Sequence, residues 1–591
     1  MASNPSLPGP RGAGEVLAGA VRLQEAGRLG EAEAALRRAI AMAPDHAEAH
    51  ARLGWVLGGL ARHDEAIAAQ RRAIEIQPRF AGAWSNLGVA LQAKGDHDAA
   101  LAAMQHALTL DDGIAECHVN IGLEWQARGM AAQAARSLRR AAALDPGLVQ
   151  AWTNLGIALQ EAGDVRTALA ASRRALRMSP GERAARSNAL MTAQYDAGIA
   201  MPALRRMAVE AAPAFGAERP LPARRRDPGA RIRVGYLSAD LWSHPVGWMA
   251  ARALVAHDRH AFEVHCFADH AVDDAVSREI RAGVEHWHGV RGLGDESLRS
   301  LILERGIDVL VDLAGHTAGN RLAVFAARAA PVQLAWLGYA ASTGLAAMDG
   351  ALVGEALAPP GAEAAFSEPL VRLPRLHFTY RPPDGAPPVA PPPAARTGGI
   401  TLGSFNNPAK IGRETLAAWA RAMAAVPESR LVLKWRSLAD AESAQRVQRR
   451  FAIRGIDPAR VEVRGPSPHA AMLAEYGDID IALDPFPYGG GLTTCEALWM
   501  GVPVVTMPWL RPLSRQALAV LEAIGLGDLV ARTPREFAAI VARLAADGGR
   551  RAALRDGLRD RMRASDLFDG RSLAAALEQS YSAALASREA S

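Results

Sequence analysis

The spacing of apolar positions changes character twice along the chain. Up to about residue 182, small and apolar residues recur at helical intervals, and the whole pattern repeats. The segments ARLGWVLGGLARHDEAIAAQRRAIEIQP, SNLGVALQAKGDHDAALAAMQHALTLDD, VNIGLEWQARGMAAQAARSLRRAAALDP and TNLGIALQEAGDVRTALAASRRALRMSP follow one another. Gly54, Gly88, Gly122 and Gly156 lie 34 residues apart, as do Ala66, Ala100, Ala134 and Ala168, and Ala73, Ala107, Ala141 and Ala175. Pro78, Pro146 and Pro180 close their repeats, with Asp112 standing in once. A weaker copy over residues 13–46 keeps Ala32, Ala39 and Pro44. Each repeat reads as two antiparallel helices that meet where small residues permit close approach and stop where proline cannot continue. Such units stack into a superhelix with a concave face.

After RPLPARRRDPGAR (219–231) the pattern becomes short apolar runs ending in turn residues. RIRVGYLSAD, FEVHCFA and DVLVDLAG read as strands with helical segments between them. RPPDGAPPVAPPPAAR (381–396) interrupts, and the alternation resumes with ITLGSFN, RLVLKW, VEVRG, IDIALD and VPVVTM. Strands alternating with helices imply parallel sheets, here in two lobes with a ligand cleft at the carboxyl ends of their strands. The expected organisation is a disordered N-terminus (1–12), repeats (13–182), connecting helices and linker (183–230), a first lobe (231–380), a proline-rich linker (381–398) and a second lobe (399–591).

Composition narrows the function. The 591 residues carry 67 basic and 62 acidic side chains, a net charge of +5 without a dense basic stripe, which argues against a nucleic-acid partner. Cys117, Cys266 and Cys495 have no paired spacing, so no disulfide framework is expected. Neither a signal peptide nor an apolar membrane-spanning run is evident, and the chain is expected to be cytoplasmic. No carboxylate or histidine metal cluster stands out.

Candidate chemistry gathers at strand ends. GGGLTTCEALWM follows IDIALDPFPY, a strand and a turn. Its glycines let the backbone approach a ligand, Gly491 leading into a helix start where Thr493 and Thr494 add hydroxyls to free N–H groups. That is a seat for a diphosphate; the plainer reading is a glycine turn with a threonine cap. Glu496, one turn on, is placed either to accept from ribose hydroxyls or to face solvent. In GSFNNPAKIGRETL, Asn406, Asn407 and Lys410 lie in the loop after a strand, and Lys410 suits a leaving phosphate. His244, in LSADLWSHPVGWM, is placed to act as general base or to orient an acceptor hydroxyl. His316 in DLAGHTAGNRL and Arg515 in RPLSRQAL are further donor-site candidates. Asn86, Asn120, Asn154 and Asn188 recur every 34 residues. They either brace neighbouring helices or grip the backbone of an extended peptide through their amides.

The repeats resemble tetratricopeptide repeats. Taken with RVGYLSADLWSHPVG, GHTAGNRLAVFAARAAPVQLAWLGYAASTG, FNNPAKI and DIALDPFPYGGGLTTCEALWMGVPVVTM, the chain resembles the O-GlcNAc transferase family, which includes SPINDLY-type members. The resemblance implies a helical repeat array followed by a GT-B fold of two Rossmann-like lobes. It implies an inverting, metal-independent transfer from a nucleotide sugar to protein Ser or Thr, with no cofactor. By this resemblance His244 matches the histidine beside sugar and acceptor, Lys410 the diphosphate lysine, and Thr493 and Thr494 the phosphate threonines. Asn407 stands where animal members have Gln, and Glu496 lies near their ribose-binding Asp. Trp248, Leu492 and Met472 depart from the animal pattern. The expected donor is UDP-GlcNAc, with GDP-fucose as the alternative and protein acceptors held by the repeat groove. A scaffold with a degenerate transferase domain is the rival of another class.

Overall fold

The computed structural model describes residues 10–222, 226–227, 229–374 and 376–590. Residues 1–9 of the expected disordered N-terminus lie outside the described residues, as does part of the 183–230 linker; helix begins at Pro10. The chain divides into two compact units, Met1–Ala158 and Leu159–Ser591.

The first unit is the repeat array. Its helices run Pro10–Glu25, Leu29–Met42, Ala47–Gly59, His63–Ile76, Ala81–Lys94, His97–Leu110, Ala115–Ala127 and Ala131–Leu144. The periodic small residues do what their spacing suggests: Ala66, Ala73, Ala100, Ala107, Ala134 and Ala141 have no exposed surface. A Cβ on Gly122 would lie 2.6 Å from Leu138 of the facing helix, so only hydrogen allows the helices to sit this close. The turns inside the repeats take a left-handed residue: Gly27, Gly95 and Gly129 have φ of 71°, 89° and 73°, and Ala61 adopts 59° at the equivalent place.

The second unit starts within the helix Val149–Glu161, continues through Val165–Met178, Arg183–Gln194 and Met201–Ala211, and then forms two parallel sheets. Among the described residues the first has seven strands: β1 (Ile232–Ser238), β2 (Phe262–Ala268), β3 (His286–Gly289), β4 (Val309–Asp312), β5 (Val332–Trp336), β6 (Gly350–Gly354) and β7 (Leu370–Leu373), in the order β3-β2-β1-β4-β5-β6-β7. The second has β8 (Thr401–Ser404), β9 (Arg430–Lys434), β10 (Val461–Arg464), β11 (Ile481–Leu483) and β12 (Val504–Val505), in the order β10-β9-β8-β11-β12. Near-continuous apolar strands buried on both faces belong to such sheets.

One expected boundary is corrected. The last helix, Gly570–Ala590, follows the second lobe in sequence but packs on the first, burying Leu573, Leu577, Tyr581 and Leu585 against β1, β4 and β5 residues. The Tyr581 hydroxyl meets that of Tyr236 at 3.0 Å, and Glu578 accepts from Asp258 N and pairs with His257 Nδ1, both at 2.8 Å. The chain thus ends by strapping one lobe to the other.

Candidate active site

The glycine turn after β11 is built around a buried carboxylate. Asp484 accepts from Gly490 N at 2.6 Å and from Thr506 Oγ1 at 2.6 Å. A Cβ on Gly490 would sit 2.6 Å from Thr493 Oγ1, 2.9 Å from Thr494 Oγ1 and 3.1 Å from Asp484 Oδ1. A side chain on Gly491 would fall on Gln516 Oε1 and lie 3.1 Å from Met249 Cε. The turn feeds the helix Leu492–Trp499, whose first internal bond in this turn is Cys495 N to Gly491 O at 3.2 Å. The N–H groups of Leu492, Thr493 and Thr494 precede it and carry the positive end of the helix dipole. Thr494 Oγ1 donates to Gly490 O at 2.9 Å and so closes the turn, while Thr493 Oγ1 donates to Asn406 Oδ1 at 3.1 Å.

Lys410 joins this cluster from the other side. Asn407 Oδ1 accepts from Ala409 N at 2.9 Å and shapes the single turn Pro408–Lys410 after β8. Lys410 Nζ donates to Gly489 O at 2.9 Å and to Asn406 Oδ1 at 3.3 Å, and lies 4.5 Å from the centre of the Tyr488 ring. Two of the ammonium's three hydrogens are therefore used and one remains for a ligand. Burial lowers the Lys410 pKa and Asp484 partly restores it; burial likewise raises Asp484 and Lys410 opposes that rise.

His244 caps the helix Pro245–Leu254 beyond β1. Its Nδ1 accepts from Val246 N at 3.4 Å and stands 3.6 Å from Asp240 Oδ1. Burial holds His244 down to about 4 and raises Asp240 to about 6. The same helix meets the second lobe through Met249 beside Gly491 and through Trp248, which stacks on His469 with ring centroids 4.6 Å apart. His469 Nε2 in turn lies 2.8 Å from Glu496 Oε1. Glu496 is buried, not solvated; burial raises its pKa and His469 pulls it back.

The structure brings Lys410, Asn407, Gly491, Thr493, Thr494 and Glu496 together, with the His244 helix facing them. Two further expected members hydrogen bond to other parts of the fold. His316 is 2% exposed, and both its nitrogens are engaged, Nε2 with Thr343 O at 2.9 Å and Nδ1 with Ser187 Oγ at 3.1 Å. It locks the helix Arg183–Gln194 to the first lobe. Arg515 Nε donates to Ala356 O at 2.6 Å and Nη1 to Trp509 O at 3.3 Å, which ties the lobes together. Asp484 and Tyr488 join the site unexpectedly, and Asn406, expected only as part of the Lys410 loop, is its shared acceptor.

A cavity of about 650 Å³ borders the Lys410 loop at Ala409 and Ile411 and is lined by Arg166, Arg413, Arg446 and Arg450. Tyr195 also borders it and stacks on Tyr488 with centroids 5.1 Å apart. In the repeats, Asn86, Asn120 and Asn154 are half-buried on the first helix of their pairs, and Asn188 lies on Arg183–Gln194 with its Nδ2 buried and unpartnered. Away from this cluster, Glu263, His265 and His286 lie together on β2 and β3, with their ligand atoms within 4.8 Å of one another.

Comparison with known proteins fits this geometry. The profile of glycosyl transferase family 41 matches residues 209–380 and 396–577. The chain belongs to glycosyl transferase family 41. Tetratricopeptide-repeat profiles match residues 17–79, 81–113 and 123–183 of this family 41 protein. A point mutant of Thermobaculum terrenum O-GlcNAc transferase matches it in structure with a TM-score of 0.80 at 36% identity, covering 86% of this chain and 98% of that one. A probable UDP-N-acetylglucosamine–peptide N-acetylglucosaminyltransferase SPINDLY of Arabidopsis thaliana is 38% identical over 362 residues, 60% of this chain and 40% of its own. The SPINDLY protein of Petunia hybrida is 36% identical over 365 residues, again 60% of this chain and 39% of its own. The family 41 chain thus spans about two fifths of the length of these relatives.

Proposed function

We propose that this protein transfers N-acetylglucosamine from UDP-GlcNAc to Ser or Thr hydroxyls of proteins held by its repeats. The observation that carries the reading is the convergence of Lys410 Nζ and Thr493 Oγ1 on one acceptor, Asn406 Oδ1, beside a helix start with free N–H groups. Such an arrangement stabilises a diphosphate whose charge grows as it leaves. The SPINDLY relatives, named as probable users of UDP-N-acetylglucosamine, favour this donor, and the Thermobaculum O-GlcNAc transferase favours this sugar.

In the reaction the acceptor oxygen forms a bond to the anomeric carbon while the bond from that carbon to the phosphate oxygen breaks. The electron pair goes to the diphosphate, where the remaining Lys410 hydrogen and the N–H groups of Leu492, Thr493 and Thr494 receive it. The acceptor's proton passes in the same event to a phosphate oxygen of the departing diphosphate. His244, neutral at physiological pH and held down to about 4, is a weak base, so it serves as a hydrogen-bonding guide for the acceptor hydroxyl. Glu496 and His469 take the ribose side. The amides of Asn86, Asn120 and Asn154 grip the acceptor backbone. We place the protein in the cytoplasm: its three cysteines are free and buried, and no described helix is long and apolar enough to cross a membrane.

The test is to incubate the purified full chain with UDP-GlcNAc or GDP-fucose and a cell lysate, and to seek glycopeptides by mass spectrometry. N-acetylhexosamine on Ser or Thr supports the proposal. Fucose on those residues reassigns the donor. Neither transfer nor donor hydrolysis, with no nucleotide binding by calorimetry, overturns the enzymatic reading.

A further inference from the structure

The first sheet carries, at its edge, side chains that the transfer reaction does not use. β2 and β3 are parallel partners, with His265 opposite His286 and Phe267 opposite His288. Alternation along each strand puts Glu263, His265, His286 and His288 on one face. Glu263 Oε1 lies 2.9 Å from His286 Nε2 and 3.3 Å from His265 Nε2, and the three ligand atoms lie within 4.8 Å of one another. Four-coordinate zinc with bonds of about 2.0–2.1 Å separates its ligand atoms by about 3.3 Å, so little movement is needed to admit the ion.

We propose that Glu263, His265 and His286 form a binding site for a zinc-class divalent ion that pins the edge strand β3 to the sheet. The surroundings suit it. His265 Nδ1 lies 3.2 Å from His288 Nε2, so an Nδ1 hydrogen donated to His288 leaves the Nε2 lone pair for the metal. Glu263 Oε2 is already taken by Arg231 at 3.2 Å, with Arg233 at 3.6 Å, which fixes the carboxylate and turns Oε1 toward both imidazoles. The His286 side chain is 43% exposed, giving the ion a way in and leaving room for water as fourth ligand. Two imidazoles and one carboxylate are the donors that zinc prefers over magnesium or calcium. Glu263 stands near the amino end of β2, whereas the transfer cleft lies at the carboxyl ends of the strands, so the ion's part is to brace the fold. The alternative is that these groups only hydrogen bond to one another.

The experiment uses the full chain without a histidine tag, stripped with EDTA and titrated with zinc chloride against a chromophoric chelator. One equivalent is expected to bind and to raise the melting temperature. His286→Ala, at a half-exposed position, is expected to weaken zinc at least about tenfold and to abolish the thermal shift. Unchanged zinc affinity and thermal shift in that variant, or no stoichiometric binding by the wild type, would overturn the site. Should the variant not fold, X-ray absorption on the zinc-loaded wild type decides: two imidazole ligands support the assignment, and a coordination shell without imidazole refutes it.

Discussion

Lys410 and Thr493, 83 positions apart in the chain, donate to the same oxygen, Asn406 Oδ1, at 3.3 and 3.1 Å. The shared acceptor sets the ammonium beside the helix start before any ligand arrives. Preorganised charge of this kind lowers a barrier without reorganisation during the reaction. It also makes the glycine turn that positions Thr493 sensitive to small changes.

Gly490→Ala tests that sensitivity. Its Cβ would press on Thr493 Oγ1, Thr494 Oγ1 and Asp484 Oδ1, all held by hydrogen bonds. The expected cost is about 1–3 kcal/mol of stability, from overpacking. Calorimetry should also find nucleoside diphosphate binding weakened at least tenfold.

His469→Ala tests the ribose side. Glu496 is buried, and His469 is the group that opposes the rise in its pKa. Without it Glu496 binds a proton more readily and loses an acceptor for ribose hydroxyls. UDP affinity measured by calorimetry should drop several-fold. Stability should fall by about 1–3 kcal/mol, as for a buried group left unpaired.

Acid stability follows from two histidines outside the site. Burial holds His316 down to about 4 and His377 down to about 3, and His377 Nδ1 is buried with no partner. The unfolded chain protonates both near 6.5, whereas the folded chain resists. Their contribution is intact above pH 6.5 and is lost as pH falls toward 4, by up to ~1.4 kcal/mol per pH unit for each group. The urea midpoint should drop between pH 7 and pH 5, and His377→Leu should flatten that slope.

Ala61→Gly tests the repeat turn. Ala61 is exposed and holds a φ of 59°, where Gly95 and Gly129 stand in the neighbouring repeats. The left-handed conformation costs an L-residue about 1–2 kcal/mol, of which glycine's greater unfolded-state entropy returns only part. A stabilisation of roughly 0.5–1 kcal/mol is expected by thermal or urea unfolding.

These particulars show where the sequence is informative. The 34-residue recurrence announces the helix pairs, because each small residue must repeat wherever the same close approach repeats. Strong apolar runs such as RVGYLS announce β1, but HWHG of β3 and GALVG of β6 are too short or too mixed to carry a strand signal. The threonines and Lys410 are legible because they follow strand ends. Asp484 is not: its partners Gly490, Thr506 and Lys410 are scattered along the chain, and it reads as the polar end of a strand. His316 misleads for the opposite reason, sitting in a strand-end loop but pointing into packing against Ser187 and Thr343. Glu263, His265 and His286 become neighbours only through strand pairing.

The central claim is that Lys410 stabilises a departing diphosphate. The most direct measurement is kcat/KM for sugar transfer by Lys410→Ala beside the wild type, with both folded to the same melting temperature within a few degrees. The account predicts a loss of about 10²–10³-fold, the scale of removing one donor from a preorganised charge-stabilising site. Turnover within a few-fold of wild type would contradict it.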